Sequence, residues 1–327
     1  MLDWKKLEAA IDEADCVLLT THTRPDGDAL GSELAMADLL LSKGKDVEIV
    51  NPSPTPDRYN FLDPQGKRVS WIGAGGPRPQ REPDLMIILD TGTFSQLPKL
   101  EDFIRSTKAK KIVIDHHVSQ DDLGADRFVD VTAPACGILV YRAYKALGIE
   151  ITQQSAIALF VAIAMDTGWL HHSNSTPEVF RAQADLVERG AQPHEIYRLL
   201  YESNSVQRMK LMATLLNRIE LSANNQLAIS HIEWDDIINV GAHPMDTEDF
   251  ISHLMAISGV QTALLFIEQR DKGTKVSIRS RTLDCSKLME QFGGGGHKAA
   301  AGASMSVPVL AAKEQVSAVV KQASKPG

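Results

Sequence analysis

Short, continuous apolar runs alternate with helix-length segments through the first part of the chain, and this alternation limits the fold more than any other feature. The apolar runs cover residues 16–20, 47–50, 85–89 and 111–114. An uninterrupted apolar run of about four to eight residues is typical of a strand that is buried on both faces. Strands that alternate with helices form parallel sheets. We therefore predict an α/β fold with a parallel sheet in the N-terminal region.

A second α/β pattern follows the first, so that a chain of 327 residues suits two domains better than one. Helical periodicity in the first part covers residues 29–42, 137–147, 152–165, 177–189 and 194–201. The second part is predicted to contain a strand at 226–232, a helix at 246–257, strands at 262–268 and 275–279, and a closing helix at 309–322. We place the first domain at 1–200, a linker helix at 201–225 and a smaller substrate-binding α/β domain at 226–327.

The charge balance restricts the partners. With 34 Lys and Arg against 42 Asp and Glu, the net charge is −8, and the sequence has no basic run. Proteins that bind long nucleic acids take much of their affinity from a broad basic surface. A small anionic substrate therefore fits better than a polymer.

The same composition bears on location. No apolar run approaches the ~20 residues that span a bilayer, and the charged start of the chain does not resemble a signal peptide. Three widely spaced cysteines without a C-x-x-C pair indicate reduced thiols. We expect a cytoplasmic protein without membrane contact, and the sequence leaves a homodimer open.

Acidic and histidine residues follow the predicted buried strands. The clusters are His22 with Asp26 and Asp28, then Asp90, then Asp115-His116-His117, and Asp166 after an apolar helix. Taken singly, each is as well explained by a turn or by a surface histidine. Together they predict one site, because ligands of open α/β sheets bind beyond the carboxyl ends of the strands.

The ligand types indicate which metal such a site would hold. Carboxylates dominate, imidazoles are present and thiolates are not, a set that suits Mn²⁺ or Mg²⁺ rather than structural zinc. So many carboxylates in one crevice would repel one another without cations. Two ions ~3.5–4 Å apart that share one carboxylate would activate water as a nucleophile.

A glycine run in the second domain predicts a phosphate-binding loop. Backbone N–H groups of Gly293–Gly296 could approach an anion closely, and we predict that residues 297–302 begin a helix beside it. The alternative for a glycine run is a flexible linker. On the strand before it, Arg279 could hold a terminal phosphate through two hydrogen bonds. Arg281 is a second candidate, although an exposed arginine on a strand is common.

These motifs, in this order, resemble the DHH phosphoesterase superfamily, and specifically its nano-RNase and pAp phosphatase family. The resemblance implies that His22, Asp26 and Asp90 bind one Mn²⁺, with Mg²⁺ or Co²⁺ as alternatives. It implies that Asp28, Asp90, His116 and Asp166 bind a second ion. His117 would act at the scissile phosphate, and Asp115 would support a neighbouring group. The implied substrate-binding residues are Arg279, Ser280, Gly294, Gly295, Gly296 and His297.

The resemblance implies a metal-dependent hydrolase that acts on short oligoribonucleotides, on 3′-phosphoadenosine 5′-phosphate (pAp), or on both. A phosphodiesterase for cyclic or linear dinucleotides is the alternative enzyme, and a catalytically silent nucleotide sensor is the alternative of another class. The chain departs from the family after Asp166-Thr167-Gly168, where Leu170 replaces the usual aromatic residue. Trp169 could supply stacking there or belong to the core.

Overall fold

The computed structural model describes residues 2–72, 81–202 and 204–324. The chain divides into two compact units, one ending at Ser203 and the other starting at Asn204. None of the helices described is long and apolar enough to cross a membrane.

The first unit is built on a six-stranded parallel sheet, as the alternation of apolar runs predicted. Its strands are β1 (Cys16–Thr20), β2 (Asp46–Asn51), β3 (Val69–Trp71), β4 (Leu85–Leu89), β5 (Lys110–Asp115) and β6 (Asp126–Val129). Their order across the sheet is β3-β2-β1-β4-β5-β6. The strand order runs outwards in opposite directions from β1 and from β4. Open α/β sheets bind ligands in the crevice at such a switch point, beyond the carboxyl ends of the strands.

Helices cover both faces of this sheet. They are α1 (Trp4–Glu13), α2 (Gly27–Ser42), α3 (Glu101–Ser106), α4 (Cys136–Leu147), α5 (Gln153–Asp166), α6 (Pro177–Glu188) and α7 (Pro193–Tyr201). Alternate residues of β1 face opposite sides, so that Val17 and Leu19 pack with α1, α2 and α4–α6 while Leu18 packs with Ile104 of α3. A sheet covered on both faces needs strands that are apolar throughout, which explains the continuous runs.

Three central helices pack at very short range. A Cβ placed on Gly31 of α2 would lie 2.3 Å from the carbonyl oxygen of Ala158 in α5, and one on Gly137 of α4 would lie 2.6 Å from the Cβ of Ala162. Glycine is therefore required at both positions. This packing fixes α5, which ends at Asp166, against α2 and α4.

The second unit is built on a six-stranded mixed sheet of order β11-β12-β10-β9-β8-β7, in which β8 and β9 are parallel and the other pairs antiparallel. Its strands are β7 (Glu220–Ser222), β8 (Leu227–Ile232), β9 (Thr262–Glu268), β10 (Thr274–Ser280), β11 (Gly295–His297) and β12 (Ala300–Met305). Its helices are α8 (Val206–Asn217), α9 (Trp234–Val240), α10 (Phe250–Met255), α11 (Cys285–Glu290) and α12 (Val309–Ala323). Leu211 and Leu215 of α8 lie in a core of this unit.

Two predictions for the second unit were wrong. Residues 297–302 do not begin a helix, because β11 and β12 pair as a hairpin and β12 continues the sheet beside β10. The continuous helix predicted at 246–257 is a 3₁₀ turn (Pro244–Thr247) followed by the short α10. Its break coincides with Asp249, which has a left-handed backbone at φ 62°.

Candidate metal centre and active site

Hydrogen bonds connect the ends of β1, β2 and β4 next to the predicted site. The Thr21 hydroxyl donates to the carbonyl oxygen of Leu89 at 2.8 Å, and the backbone N–H of Thr21 donates to Oδ1 of Asn51 at 3.2 Å. Asp90, the next residue after β4, has a left-handed backbone at φ 59° and donates its N–H to Ile114 at 3.0 Å. These contacts place the side chains that follow the two strands at one edge of the sheet.

A first group joins His22, Asp26 and Asp90. Nε2 of His22 lies 3.5 Å from Oδ2 of Asp90 and 4.0 Å from Oδ1 of Asp26. Asp90 is buried, whereas the Asp26 side chain is half exposed. One atom from each of the three residues falls within 4.8 Å of the others, which is close enough for a single ion to reach all three.

A second group joins Asp28, His116 and Asp166. Nε2 of His116 lies 3.7 Å from Oδ2 of Asp28, 3.4 Å from Oδ2 of Asp166 and 3.3 Å from Oδ1 of Asp90. Asp90 therefore directs one oxygen towards each group. This is the arrangement that a carboxylate shared by two ions requires.

Backbone carbonyl groups orient both histidines. Nδ1 of His22 lies 3.0 Å from the carbonyl oxygen of Thr23, and Nδ1 of His116 lies 3.2 Å from that of Ala133. A carbonyl oxygen only accepts, so Nδ1 carries the proton in each ring and Nε2 presents a lone pair in the neutral form. A hydrogen bond of this kind is typical of a histidine that binds metal through its other nitrogen.

Two of the aspartates are held by the starts of helices. Oδ1 of Asp26 accepts hydrogen bonds from the N–H groups of Asp28 and Ala29 and caps α2. Asp28 accepts from the N–H groups of Cys136 and Gly137, the first residues of α4. The loop after β1 is therefore connected to both α2 and α4.

The charges of the cluster are strongly coupled. Although burial alone would lower it, contact with Asp90 and the surrounding carboxylates raises the pKa of His116 to about 10, and that of His22 to about 9. Burial and the neighbouring negative charges raise the pKa of Asp166 to about 6 and that of Asp28 well above its usual range. When no cation is bound, protons on the histidines and on some of the carboxyl groups offset the negative charge of the cluster.

The residues fit a metal centre. Asp90 Oδ1 is buried and accepts no hydrogen bond from the part of the chain that the structure describes. Protonated histidines partly neutralise the carboxylates here, and a divalent cation would do so more completely. Oxygen donors with two imidazoles and no thiolate suit Mn²⁺ or Mg²⁺.

His117 is positioned differently from His116. Oδ1 of Asp115, which is fully buried, lies 2.8 Å from Nδ1 of His117 and accepts the N–H groups of both histidines at 2.8 and 3.2 Å. Gln120 holds the other carboxylate oxygen of Asp115 at 2.5 Å. His117 Nδ1 also lies 3.7 Å from Asp90 Oδ1, so that the ring lies next to the carboxylate that the first and second groups share.

Sequence reasoning missed several supporting residues. Gln120 holds Asp115, Asn51 connects Thr21 to the buried Glu33, and Asn174 donates to the carbonyl oxygens of Pro134 and Asp166. None of these contacts follows from the spacing of the motifs. A third set of side chains within reach of one ion consists of Asp90, His116 and His117. His171 and His172, which were not predicted as ligands, lie outside all three sets.

The substrate-binding residues predicted for the second unit lie around β10 and the glycine hairpin. Arg279 is exposed on β10 opposite Ala300, whereas the Ser280 hydroxyl is buried and contacts Thr262 Oγ1 at 2.8 Å. Gly294 and Gly296 leave no room for a Cβ, whereas Gly295 faces open space. The backbone of His297 belongs to β11, and its side chain lies outside what the structure describes.

Arg281 has a structural position. Its guanidinium donates to the carbonyl oxygens of Val260 and Met255, the latter at 3.2 Å. It therefore ties the chain after β10 to the segment before β9.

Comparison with known families agrees with the motifs. The DHH family, N-terminal domain, matches residues 16–165, and the DHHA1 domain matches residues 224–325. The chain therefore carries a DHH domain followed by a DHHA1 domain. The DHH family is a family of phosphoesterases. His117 and the residues of the first and second groups lie within the matched residues 16–165, except Asp166, which follows them directly.

Three known proteins illustrate the relationship. A bifunctional oligoribonuclease and PAP phosphatase, NrnA, from Thermus thermophilus is 29% identical over 315 residues, which cover 92% of this chain and 89% of the relative. An exopolyphosphatase-related protein from Bacteroides fragilis has the same fold, with a TM-score of 0.90 at 23% identity over 98% of this chain and 94% of the other. RecJ from Thermus thermophilus in complex with Mn²⁺ has a TM-score of 0.56 at 14% identity over 99% of this chain and 54% of RecJ.

Proposed function

We propose that this DHH protein is a Mn²⁺-dependent phosphoesterase that hydrolyses short oligoribonucleotides and pAp. The observation that carries the proposal is Asp90, whose two oxygens lie 3.5 Å from His22 and 3.3 Å from His116. A carboxylate between two ligand groups is what a pair of ions acting on one phosphate requires.

His22, Asp26 and Asp90 would hold one ion, and Asp28, Asp90, His116 and Asp166 the other. Lewis-acid activation of a water molecule and neutralisation of phosphate charge are what two bound ions would supply. Mn²⁺ is proposed over Mg²⁺ because two imidazoles join the carboxylates.

His117 would act on the leaving group. Asp115 fixes its Nδ1 at 2.8 Å, which turns Nε2 away from that carboxylate. From this position Nε2 would donate a proton to the oxygen that leaves the phosphorus atom. Asp115 and Gln120 would act through His117, by holding the orientation of its ring.

The substrate class follows from charge and from the relatives. An acidic chain of net charge −8 disfavours a long nucleic acid, while the exposed Arg279 and the close-packed glycine hairpin offer a local anchor for one phosphate. The relative from Thermus thermophilus is named an oligoribonuclease and PAP phosphatase. PAP carries two phosphate groups, and an oligoribonucleotide carries one phosphodiester group for each link between its nucleotides.

The test is a substrate panel with purified protein and Mn²⁺. It comprises pAp, di- to pentaribonucleotides, a 24-nucleotide RNA, a cyclic dinucleotide and pyrophosphate, with an Asp90→Ala preparation as the control for contaminating nucleases. We expect turnover of pAp and of the shortest RNAs. Exclusive turnover of the cyclic dinucleotide would establish the alternative phosphodiesterase, and nucleotide binding without any turnover would establish a sensor.

A further inference from the structure

The outer face of α6 presents two large apolar side chains and two charged side chains to solvent. The residues of α6 that pack inwards are Val179, Ala182, Gln183 and Leu186. On the opposite face, Phe180 is 52% exposed and Val187 is 42% exposed. Arg181, Ala184 and Glu188 are exposed beside them. We call these five residues the outer face of α6.

The two charged residues of this face are not used within the chain. Neither Arg181 nor Glu188 has an ion-pair or hydrogen-bond partner among the described residues. The neighbouring Glu178, in contrast, is bound by Arg142 at 2.6 Å. Exposed apolar side chains that occur singly are common, whereas a group of them bordered by polar residues is typical of a contact surface. The outer face of α6 is therefore a candidate for contact with another molecule.

The positions of the five residues are symmetric about Ala184. Because an α-helix has about 3.6 residues per turn, Phe180 and Val187 lie together on one side of Ala184. Arg181 and Glu188 lie together on the other side. In each of these pairs, one residue comes three or four positions before Ala184 and the other comes three or four positions after it.

We propose that the outer face of α6 is the contact surface of a homodimer, in which two copies of α6 pack antiparallel about a two-fold axis at Ala184. Arg181 then lies beside Glu188 of the partner subunit, and Phe180 packs on Val187 of the partner subunit. The symmetry makes each contact occur twice. At the centre, the small side chain of Ala184 allows the two helix axes to approach to about 8 Å.

The symmetry of this face is the reason for choosing a second copy as the partner. A two-fold contact requires a surface that is complementary to itself, with each group matched by another group of the same surface. Arg181 and Glu188 meet this requirement in charge, and Phe180 and Val187 meet it in polarity. A parallel pairing of the two helices would instead place each charged side chain opposite an apolar one. The charges therefore select the antiparallel arrangement.

Reversal of one charge tests the pairing, and the measurement is the mass of the full chain by sedimentation over a series of concentrations. The wild type should approach twice 35.8 kDa. Arg181→Glu should weaken dimerisation at least about tenfold, because it places like charges together at both symmetric contacts. The double variant Arg181→Glu/Glu188→Arg should restore the dimer, because the two charges are exchanged. Lys5→Glu, at an exposed position of α1, alters the net charge as much as Arg181→Glu and should leave the mass unchanged.

Ala184→Cys tests the position of the two-fold axis. The two copies of this residue would lie next to each other, within the distance of about 7 Å between Cα atoms that a disulfide allows. Mild oxidation should therefore link two chains, as observed by non-reducing electrophoresis, while the wild type serves as the blank. Pro177→Cys is the matched control, since it is exposed on the same helix but its two copies would lie about 21 Å apart along the helix axis.

Every outcome bears on the proposal, and none of the measurements depends on phosphoesterase activity. Loss of the dimer in Arg181→Glu, its return in the double variant and linkage through Ala184→Cys alone support it. A chain that is monomeric at all concentrations overturns it. A dimer that withstands Arg181→Glu uses another surface and overturns it as well, as does linkage through Pro177→Cys and Ala184→Cys alike. If the double variant fails to fold, linkage through Ala184→Cys decides.

Discussion

The backbone N–H of Gly137 donates to Oδ1 of Asp28 at 2.8 Å, which joins the start of α4 to a side chain of the candidate metal centre. The N–H of Cys136 holds the other oxygen at 2.7 Å. Both donors come from the first turn of α4, where the helix dipole favours a negative charge. The position of Asp28 therefore depends on how closely α4 packs against α5.

Gly137→Ala should disturb this packing and the centre together. The new Cβ would lie 2.6 Å from the Cβ of Ala162 and 3.3 Å from Asp28 Oδ1. We expect a loss of about 1–3 kcal/mol in the free energy of unfolding by urea, typical of overpacking, although alanine favours helices. Weaker Mn²⁺ binding by calorimetry should accompany it. The double variant with Ala162→Gly should recover Mn²⁺ affinity; if it does not, the steric cause is wrong.

Asp90→Ala should be the most damaging single substitution for metal-dependent turnover. Its two oxygens face different ligand groups, so its loss affects both ions. Removal of groups that merely support metal ligands already costs about 10–100-fold, and we expect a larger loss here. The measurements are the Mn²⁺ content and the rate with pAp, before and after chelation, with Asp102→Ala as an exposed acidic control. Wild-type turnover in excess chelator would refute the two-ion proposal.

Substitutions of His116, His117 and His172 should have different effects. His116→Ala should abolish Mn²⁺-dependent turnover, because Nε2 faces Asp28, Asp90 and Asp166. His117→Ala should retain metal but lower kcat by roughly 10²–10⁴, the usual effect of losing a general acid. His172→Ala should retain most activity. Metal content and kcat are measured on the same preparations, and loss of metal in His117→Ala would make His117 a ligand instead.

The strands and the clustered ligands could be predicted because both depend on local sequence. A strand such as β4 is apolar at all five positions, and Asp90 follows it immediately. The edge strand β6 gives no such signal, since Phe128 is the one buried residue of its four. The Ala-rich segment after the glycine run favours a helix by intrinsic propensity, but pairing of β12 with β10 overrides it. Long-range contacts, such as that of Asn174 with the carbonyl oxygen of Pro134, leave no trace in the spacing of the motifs.

The buried Glu33 predicts a pH dependence of stability. Burial raises its pKa from 4.5 to about 8, although Asn51 donates to its carboxyl group at 2.9 Å. Between these two values the folded protein keeps a proton that the unfolded chain loses. The free energy of unfolding should therefore fall as pH rises through this range, by up to about 1.4 kcal/mol per pH unit, and level off above it.

Glu33→Gln isolates this contribution, because glutamine keeps an acceptor for Asn51 and cannot ionise. Urea unfolding at several pH values between 5 and 9 should show the variant gaining stability relative to wild type as pH rises. A constant difference between the two proteins would show that Glu33 does not carry a raised pKa.

Arg279 should set the preference for short substrates. It is an exposed cation on β10 of an acidic protein, beside the small residues of the glycine hairpin. A phosphate remote from the scissile bond could pair with it, whereas a long strand would also meet negative surface. Arg279→Ala should raise KM for pAp or a 5′-phosphorylated dinucleotide by ~10–100-fold, the equivalent of one charge-assisted contact of ~1.5–3 kcal/mol.

The matched comparison for Arg279→Ala is bis-p-nitrophenyl phosphate, which has no second phosphate to hold. Its rate should change little, because the metal centre in the first unit is untouched by the substitution. Arg281→Ala makes the opposite control, since that guanidinium is bound to the carbonyl oxygens of Val260 and Met255 and should affect stability more than KM. If Arg279→Ala slows the model diester as much as pAp, Arg279 supports the fold rather than the substrate. Equal rates for a 24-nucleotide RNA and a dinucleotide would show that no such anchor selects for length.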